Sequence, residues 1–352
     1  ESEAACPPEG KCGDGPCQEA REAKAPLRSV GENFRGPGLN FAAVSHAVCI
    51  LPNDIMSNSK ITEPMEAAQR IYKCWSWWRH NPKAVPVLID DTAKLLREEH
   101  SSKWVKGLLD PLREMGVQMP LDPSTQLRAV GVTPKIHPGF DGKEAQWFLH
   151  EGDAHELRDR VLGLFKGEAL PKLRNKTYLS LSRELRSQPR IGFLQRKLHK
   201  KSMTTRRLQG EARMLSALSQ LGPVDQGTFE DMSFQEQAEF MNSHDVIVSP
   251  HGNQLANIPF LPDCGSVVEI FPKGYYLPGL FGSMAKNSGL DYRAIYTHSG
   301  DPVKEGSPVG AATLTLDRTR DVSHICASVS HVVGAVQDLM AKRSACLAAR
   351  SA

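Results

Sequence analysis

The sequence predicts an α/β protein built on parallel sheets, and three observations carry that expectation. Short apolar runs alternate with helical stretches of roughly 10–17 residues, the rhythm of strand–helix–strand units. Apolar residues make up 40% of 352, enough for two cores of ordinary domain size. The charged fraction of 24% is that of a globular chain rather than a disordered one. A break near Lys172–Lys176 divides the pattern into two such units. The expected organisation is a stem or linker over 1–38, an N-terminal α/β unit over 39–174 and a C-terminal one over 175–345, whose final helix is able to cross back.

The elements follow in order. Residues 1–38 are rich in Gly, Pro, Glu and Lys without periodicity, as in a linker. Ala47–Leu51 reads as a strand. Thr62-Glu63-Pro64 opens a helix, with Thr as N-cap and Pro in the first turn, running to about Trp78 with Ile71, Cys74, Trp75 and Trp78 at helical spacing. Val85–Ile89 is a second strand. Lys103–Met115 is an amphipathic helix closed by Gly116. Gln126–Val132 and Ala145–Leu149 read as strands, and His155–Phe165 as a helix. Arg190–Leu194 is a strand, and Arg206–Leu221 is expected as a helix stopped by Gly222-Pro223. Ser233 and Glu236 form a capping box for a helix reaching about Asn242. Strands at Asp245–Ser249 and Ser266–Phe271, a helix at Gly279–Ser288, a strand at Tyr292–Tyr296 and a closing helix at Ser323–Met340 complete the pattern.

Composition excludes some classes. A net charge of +3 is too small to imply nucleic acid, and no apolar window of about 18 residues is present to span a membrane. The chain starts at Glu1 rather than Met, so any link to a membrane is expected only through an N-terminal anchor that has been removed. Eight cysteines form no pair of CxxC motifs, and Cys6, Cys12 and Cys17 lie in the Gly/Pro-rich head. That favours an oxidising, secretory compartment over free thiols in a reducing one. The sequon Asn175-Lys176-Thr177 agrees with secretion.

Parallel sheets present ligands at the carboxyl ends of their strands, so the loops there carry the chemistry. The stretch from Gln195 to Arg207 holds Arg196, Lys197, Lys200, Lys201, Arg206 and Arg207 and no acid. It leads into the expected helix N-terminus, and together these suit a pyrophosphate, since the planar guanidinium pairs with two oxygens at once. A solvated basic loop is the alternative reading. The next strand runs into Pro250-His251-Gly252-Asn253-Gln254-Leu255-Ala256-Asn257. Gly252 permits close approach of a ligand to backbone, and His251, Asn253 and Asn257 offer donors. Glu269 then interrupts the apolar strand Val267–Ile270. A carboxylate placed there needs partners, which a ribose diol supplies; a salt bridge to a nearby Lys or Arg is the alternative. Tyr275-Tyr276 follows, fit either to stack on a sugar or base or to pack beneath the last helix.

These segments, in this order, resemble glycosyltransferase family 61, which includes plant xylosyl- and arabinosyltransferases and animal N-acetylglucosaminyltransferases. The resemblance rests on Arg196, Arg206-Arg207-Leu208-Gln209-Gly210-Glu211, Met232-Ser233-Phe234-Gln235-Glu236-Gln237, Asp245–Val248, His251–Asn257, Phe260-Leu261-Pro262 and Val267-Val268-Glu269-Ile270, roughly Arg190–Tyr296 and about a third of the chain. Gly210 stands where that family usually has Asn. The stretch Asn58–Glu66 has Asn58 and acids but lacks the His often found there.

The resemblance implies a GT-B arrangement, two Rossmann-like domains facing a cleft. It implies an inverting, metal-independent transfer of xylose, arabinose or N-acetylglucosamine from a UDP-sugar to a hydroxyl of a glycan or glycoprotein. No Asp-x-Asp is present, so no metal cofactor is expected, and Arg196 and Arg207 stand in its place. The donor side is expected to use Arg196, Arg207, His251, Gly252, Asn253, Asn257 and Glu269. For the general base Glu66 comes first and Glu63 second, with Asp54, Asp90 and Asp91 as further candidates. The Golgi or endoplasmic reticulum lumen is the implied compartment. The competing expectations are a non-catalytic GT-B scaffold that binds nucleotide, and a binder of anionic carbohydrate using the basic loop.

Overall fold

The structure is a computed structural model that describes residues 11–12, 15–16, 46–51, 64–90, 102–119, 129–132, 147–165, 188–197, 206–272, 276–296 and 324–351. Its contacts divide it into two compact units, one of residues 23–136 and one of 1–22 with 137–352. The architecture is mixed α/β with parallel sheets. In the head, β1 (Lys11–Cys12) and β2 (Gly15–Pro16) pair antiparallel.

The smaller unit contains β3 (His46–Leu51), α1 (Pro64–Arg79), β4 (Val85–Asp90), α2 (Lys103–Glu114) and β5 (Ala129–Val132). Its three strands form a parallel sheet in the order β4-β3-β5. A disulfide between Cys49 on β3 and Cys74 on α1 ties sheet to helix, and Trp78 Nε1 donates to Ala47 O at 2.9 Å. Ser102 caps α2 by accepting from Val105 N at 3.2 Å, and Gly116 closes it with φ 91°.

The larger unit begins with α3 (Glu151–Phe165), then β6 (Ile191–Leu194), β7 (Arg207–Leu208), α4 (Glu211–Leu218), β8 (Val224–Gly227), α5 (Phe234–Asn242), β9 (Val246–Pro250), β10 (Ser266–Ile270), α6 (Pro278–Asn287), β11 (Asp291–Ile295), β12 (His324–Ile325) and α7 (Val329–Ser351). A five-stranded parallel sheet has the order β11-β10-β9-β6-β8. The chain therefore runs from β6 outward to β8, then crosses back to β9 on the other side of β6. One face of the sheet packs Ile191, Phe193, Val246, Val248, Val268 and Ile270 against α4 and α7. The other carries α5 and α6, with α3 packed on α5, α6 and the 3₁₀ turn Asn253–Phe260. That helix lies within the 39–174 stretch that the sequence assigns to the first domain. A disulfide between Cys264 and Cys346 fastens α7, and no helix among the described residues is long and apolar enough to cross a membrane.

Three expected elements take another form. Arg206–Leu221 is not one helix. Arg207 and Leu208 pair in parallel with His324 and Ile325, buried Leu208 enters the core, and α4 starts only after Gly210 turns left-handed at φ 67°. Glycine adopts that conformation without cost, and Asn is one of the few other residues that tolerates it, so a Gly for an Asn at this place preserves the turn. The closing helix likewise begins at Val329, because residues 324–325 supply β12. Of the expected strand Ala145–Leu149, residues 147–149 make no ladder. Trp147 is instead buried against α6, its Nε1 donating to Ser283 Oγ at 3.1 Å and Leu280 O at 3.2 Å.

Candidate active site

The crossing between β6 and β9 is where a doubly wound sheet opens a crevice, because the connections leave these two strands in opposite directions. Residues that follow these strands therefore meet at its floor. They are Gln195, Arg196 and Lys197 after β6, and His251 and Gly252 after β9.

Arg196 and Gly252 are in direct apposition. A Cβ built on Gly252 would lie 2.5 Å from Arg196 Nη1 and 2.5 Å from Gln254 Oε1. A side chain there would displace the ends of Arg196 and Gln254, so what the glycine permits is this close approach rather than an unusual backbone angle. Buried Gln195 fixes the base of this arrangement. Its Oε1 accepts from Arg196 N at 3.1 Å and Leu208 N at 3.0 Å, and its Nε2 donates to Leu208 O and Glu211 Oε2, both at 3.0 Å.

The cations of the site are matched by acids. Arg196 Nε donates to Glu230 Oε1 at 2.9 Å, and Lys197 meets Asp231 at 2.5 Å. Arg207 meets Glu211 at 2.5 Å and donates from Nη1 to Arg196 O at 3.3 Å. Arg207 thus supports the backbone of Arg196 and stands one step behind it. Arg206 is the neighbour that reaches the loop, donating from Nη1 to His251 O at 3.4 Å from a left-handed backbone at φ 44°. The α4 N-terminus, expected beside the basic loop, already holds Glu211 in its first turn, and that carboxylate complements the helix dipole. Residues 198–205 of the basic loop lie outside the described residues.

His251 is nearly fully buried. Its ring stacks on Phe271 with centroids 5.1 Å apart and lies 5.6 Å from Phe281. Its Nδ1 is 2.5 Å from Glu269 Oε1, and the Tyr292 hydroxyl donates to Glu269 Oε2. Glu269 is 0% exposed. Burial pushes its carboxyl up to about 8, against the opposing pull of the Tyr292 hydrogen bond and the Arg206 charge. Burial, then the adjacent Glu269, holds the Tyr292 phenol well above its ordinary value.

The remaining expected donor residues separate. Asn257 is fully buried, and its amide donates to Gln237 Oε1 at 2.9 Å and Gln254 O at 3.0 Å. Gln237 in turn donates to Phe229 O and Met232 O. The Ser233–Gln237 motif therefore does two jobs. Ser233 and Glu236 form the capping box of α5, and Gln237 anchors the turn that follows Gly252. Asn253 is half-buried at the start of that turn. Tyr276 packs edge-on to Phe271 at 4.9 Å and to Tyr296 at 5.5 Å, while Tyr275 lies outside the described residues.

Of the acids considered as base, Glu66 sits in the first turn of α1, half-buried. Glu63, Asp54 and Asp91 lie outside the described residues, as does the side chain of Asp90 at the end of β4. The residues that sequence reasoning missed are Tyr292, Gln195, Glu211 and Glu230. Tyr292 had a signal: on β11 it shares the period-two face on which Glu269 lies on β10.

Fold and site define an α/β protein whose sheet crossing is lined by arginine, a buried histidine and a glycine that admits close contact. The Glycosyltransferase 61 family model matches residues 48–268, more than half of the chain, and the chain belongs to this family. It is a glycosyltransferase by that membership. The match extends over parts of both units, whereas the motifs read in the sequence lie mainly in the second. No curated protein matches the chain.

Proposed function

We propose that the chain is an inverting, metal-independent transferase that moves a sugar from a UDP-sugar to a hydroxyl of a glycan or glycoprotein in the Golgi or endoplasmic reticulum lumen. The single observation that carries the donor site is the apposition of Arg196 and Gly252 at the β6/β9 crossing. A guanidinium laid against a backbone with no side chain can grip two phosphate oxygens while the ligand touches the chain itself. Arg206 and His251 border the same point.

The reaction is one displacement. The acceptor oxygen attacks the anomeric carbon as the bond to the diphosphate oxygen breaks, so configuration inverts. The acceptor proton passes to a carboxylate, for which Glu66 and Glu63 are the candidates. UDP leaves carrying the charge, which Arg196, Arg206 and His251 stabilise. The proposal takes over the GT-B arrangement from the family, and the disulfides Cys49–Cys74 and Cys264–Cys346 support an oxidising compartment. Xylose, arabinose and N-acetylglucosamine are the donor sugars to try.

Thermal unfolding with UDP, GDP, CMP and a panel of UDP-sugars, in EDTA throughout, tests the reading. Ligand at about 100 times its dissociation constant adds roughly 2.7 kcal/mol to the folded state. UDP is expected to raise the midpoint, Arg196→Ala to remove the rise, and the best UDP-sugar to be consumed in EDTA. Indifference to every nucleotide would sink the donor site. Binding of UDP without consumption of any UDP-sugar would favour the non-catalytic scaffold.

A further inference from the structure

The carboxylate of Glu269 is placed by strand geometry. It lies in register with Ser249 on β9 and Ala294 on β11. Side chains two residues apart share a face, so Tyr292 precedes Ala294 on that face and His251 follows Ser249 onto it. The three meet in a line: the Tyr292 hydroxyl donates to Oε2, and Oε1 meets His251 Nδ1 at 2.5 Å. Both oxygens have partners within the protein, and the residue is 0% exposed. A ribose diol would have to break one of these bonds and reach a carboxylate that solvent does not touch.

We propose that Glu269 and Tyr292 are positioning residues that hold His251 as a hydrogen-bond donor toward the diphosphate of the sugar nucleotide, and that Glu269 does not bind the ribose. This rests on the donor-site reading above. The number of protons on the pair decides whether the ring donates. With two protons on the His251–Glu269 pair, one lies in the Nδ1–Oε1 bond. Whether that proton is drawn on nitrogen or on oxygen, the second is on Nε2, and the far edge of the ring donates. With one proton, it stays in the bond and Nε2 becomes an acceptor, which repels phosphate oxygen. The one-proton state is a buried net negative charge and is disfavoured by desolvation. The groups facing the pair are the Tyr292 hydroxyl from β11 and the Arg206 charge from the turn before β7, with Tyr276 beside Tyr292. The first two favour the ionised carboxylate, and burial outweighs them. The pair therefore keeps both protons at neutral pH. Stacking on Phe271 holds the ring plane.

The test is calorimetric binding of UDP and of inorganic pyrophosphate to the whole chain, between pH 6 and 9.5, for wild type, Tyr292→Phe and Glu269→Ala. The expected result is that each variant loses the same factor for both ligands, about tenfold for Glu269→Ala and about threefold for Tyr292→Phe. Wild-type affinity should fall above about pH 8. In Tyr292→Phe that fall should move to higher pH, because a hydrogen bond favouring the ionised carboxylate is gone; a loss of packing alone would lower affinity without moving it. The phenyl ring keeps the volume of Tyr292, so this variant decides the matter even where Glu269→Ala does not fold. Loss of UDP affinity with pyrophosphate unaffected would assign Glu269 to the ribose and overturn the relay. Variants that bind like wild type, or an unmoved alkaline fall, would overturn it too. A wild type that binds neither ligand would remove the donor site itself, and the relay with it.

Discussion

The two ends of the five-stranded sheet are both crowded with charge, and they use it differently. At the amino ends of β6, β8 and β9, Arg190, Asp225, His244, Asp245 and Arg343 form a largely buried network. Arg190 pairs with Asp225, and His244 Nε2 meets the same carboxylate at 3.0 Å. Asp245 accepts from Arg190 N at 2.8 Å and from Arg343 Nη2 at 2.9 Å. Hydrogen bonding from His244 and Arg190 holds the Asp225 carboxyl well below its ordinary range, although burial opposes it. This end staples α7 to the sheet. At the carboxyl ends, Arg196 and Arg207 meet their acids at partly exposed positions, Arg206 reaches a backbone carbonyl, and a glycine leaves space against a guanidinium. A cluster of charge is therefore no sign of function by itself. The crossing of the connections, which opens a crevice at one end only, separates a staple from a candidate site.

The comparison breaks most visibly at the staple. Asp245→Ala strands the buried Arg343 guanidinium, and removal of one partner of a buried pair costs about 3–5 kcal/mol. Urea denaturation should show that loss, and a variant as stable as wild type would mean the network is not stapling α7. Reducing or replacing the Cys264–Cys346 bond, which closes 82 residues at the same end, should cost about 2–5 kcal/mol in the same assay.

Two glycines give a matched pair. A Cβ on Gly222, at the amino end, would lie 2.5 Å from Pro189 O, a backbone atom that cannot swing away. Gly222→Ala should cost about 1–3 kcal/mol of stability and leave UDP affinity per folded molecule unchanged. A Cβ on Gly252 meets only flexible side-chain ends. Gly252→Ala should cost under about 1 kcal/mol and lower UDP affinity about tenfold. Reversal of this pattern would undo the assignment of the two ends.

The smallest effect is a pH signature of opposite sign at the two ends. Asp225 has a depressed value in the folded state, so its stabilisation is present above the unfolded carboxylate range and is lost as acid protonates it. Glu269 has a raised value. Its proton is held by the folded protein and released by the unfolded chain, so its contribution is complete below the unfolded value of about 4.5 and is lost as pH rises through about 8. Denaturation midpoints across pH should show Asp225→Asn flattening the acid limb and Glu269→Gln flattening the fall between about pH 4.5 and about 8.

The sequence by itself determined the α/β class, the parallel strands built on apolar runs such as Val246–Val248 and Val267–Val268, the α5 capping box and the loops that hold Arg196, His251 and Gly252. These are local signals: a strand's run, a cap's spacing, a polar cluster after a strand. Tertiary structure alone decided what those residues touch. The order β11-β10-β9-β6-β8 brings Arg196 to Gly252 across 56 positions, and no local pattern states that order. Arg207 turned into a short strand because Leu208 finds its core partners near Ile325, more than a hundred residues away. Glu269 meets His251 and Tyr292, because period-two faces on neighbouring strands put the three together once the strands were in register. Propensity and capping act within a few residues. Register and strand order are settled by burial of the whole sheet, and the site exists only where that burial brings distant loops to one edge.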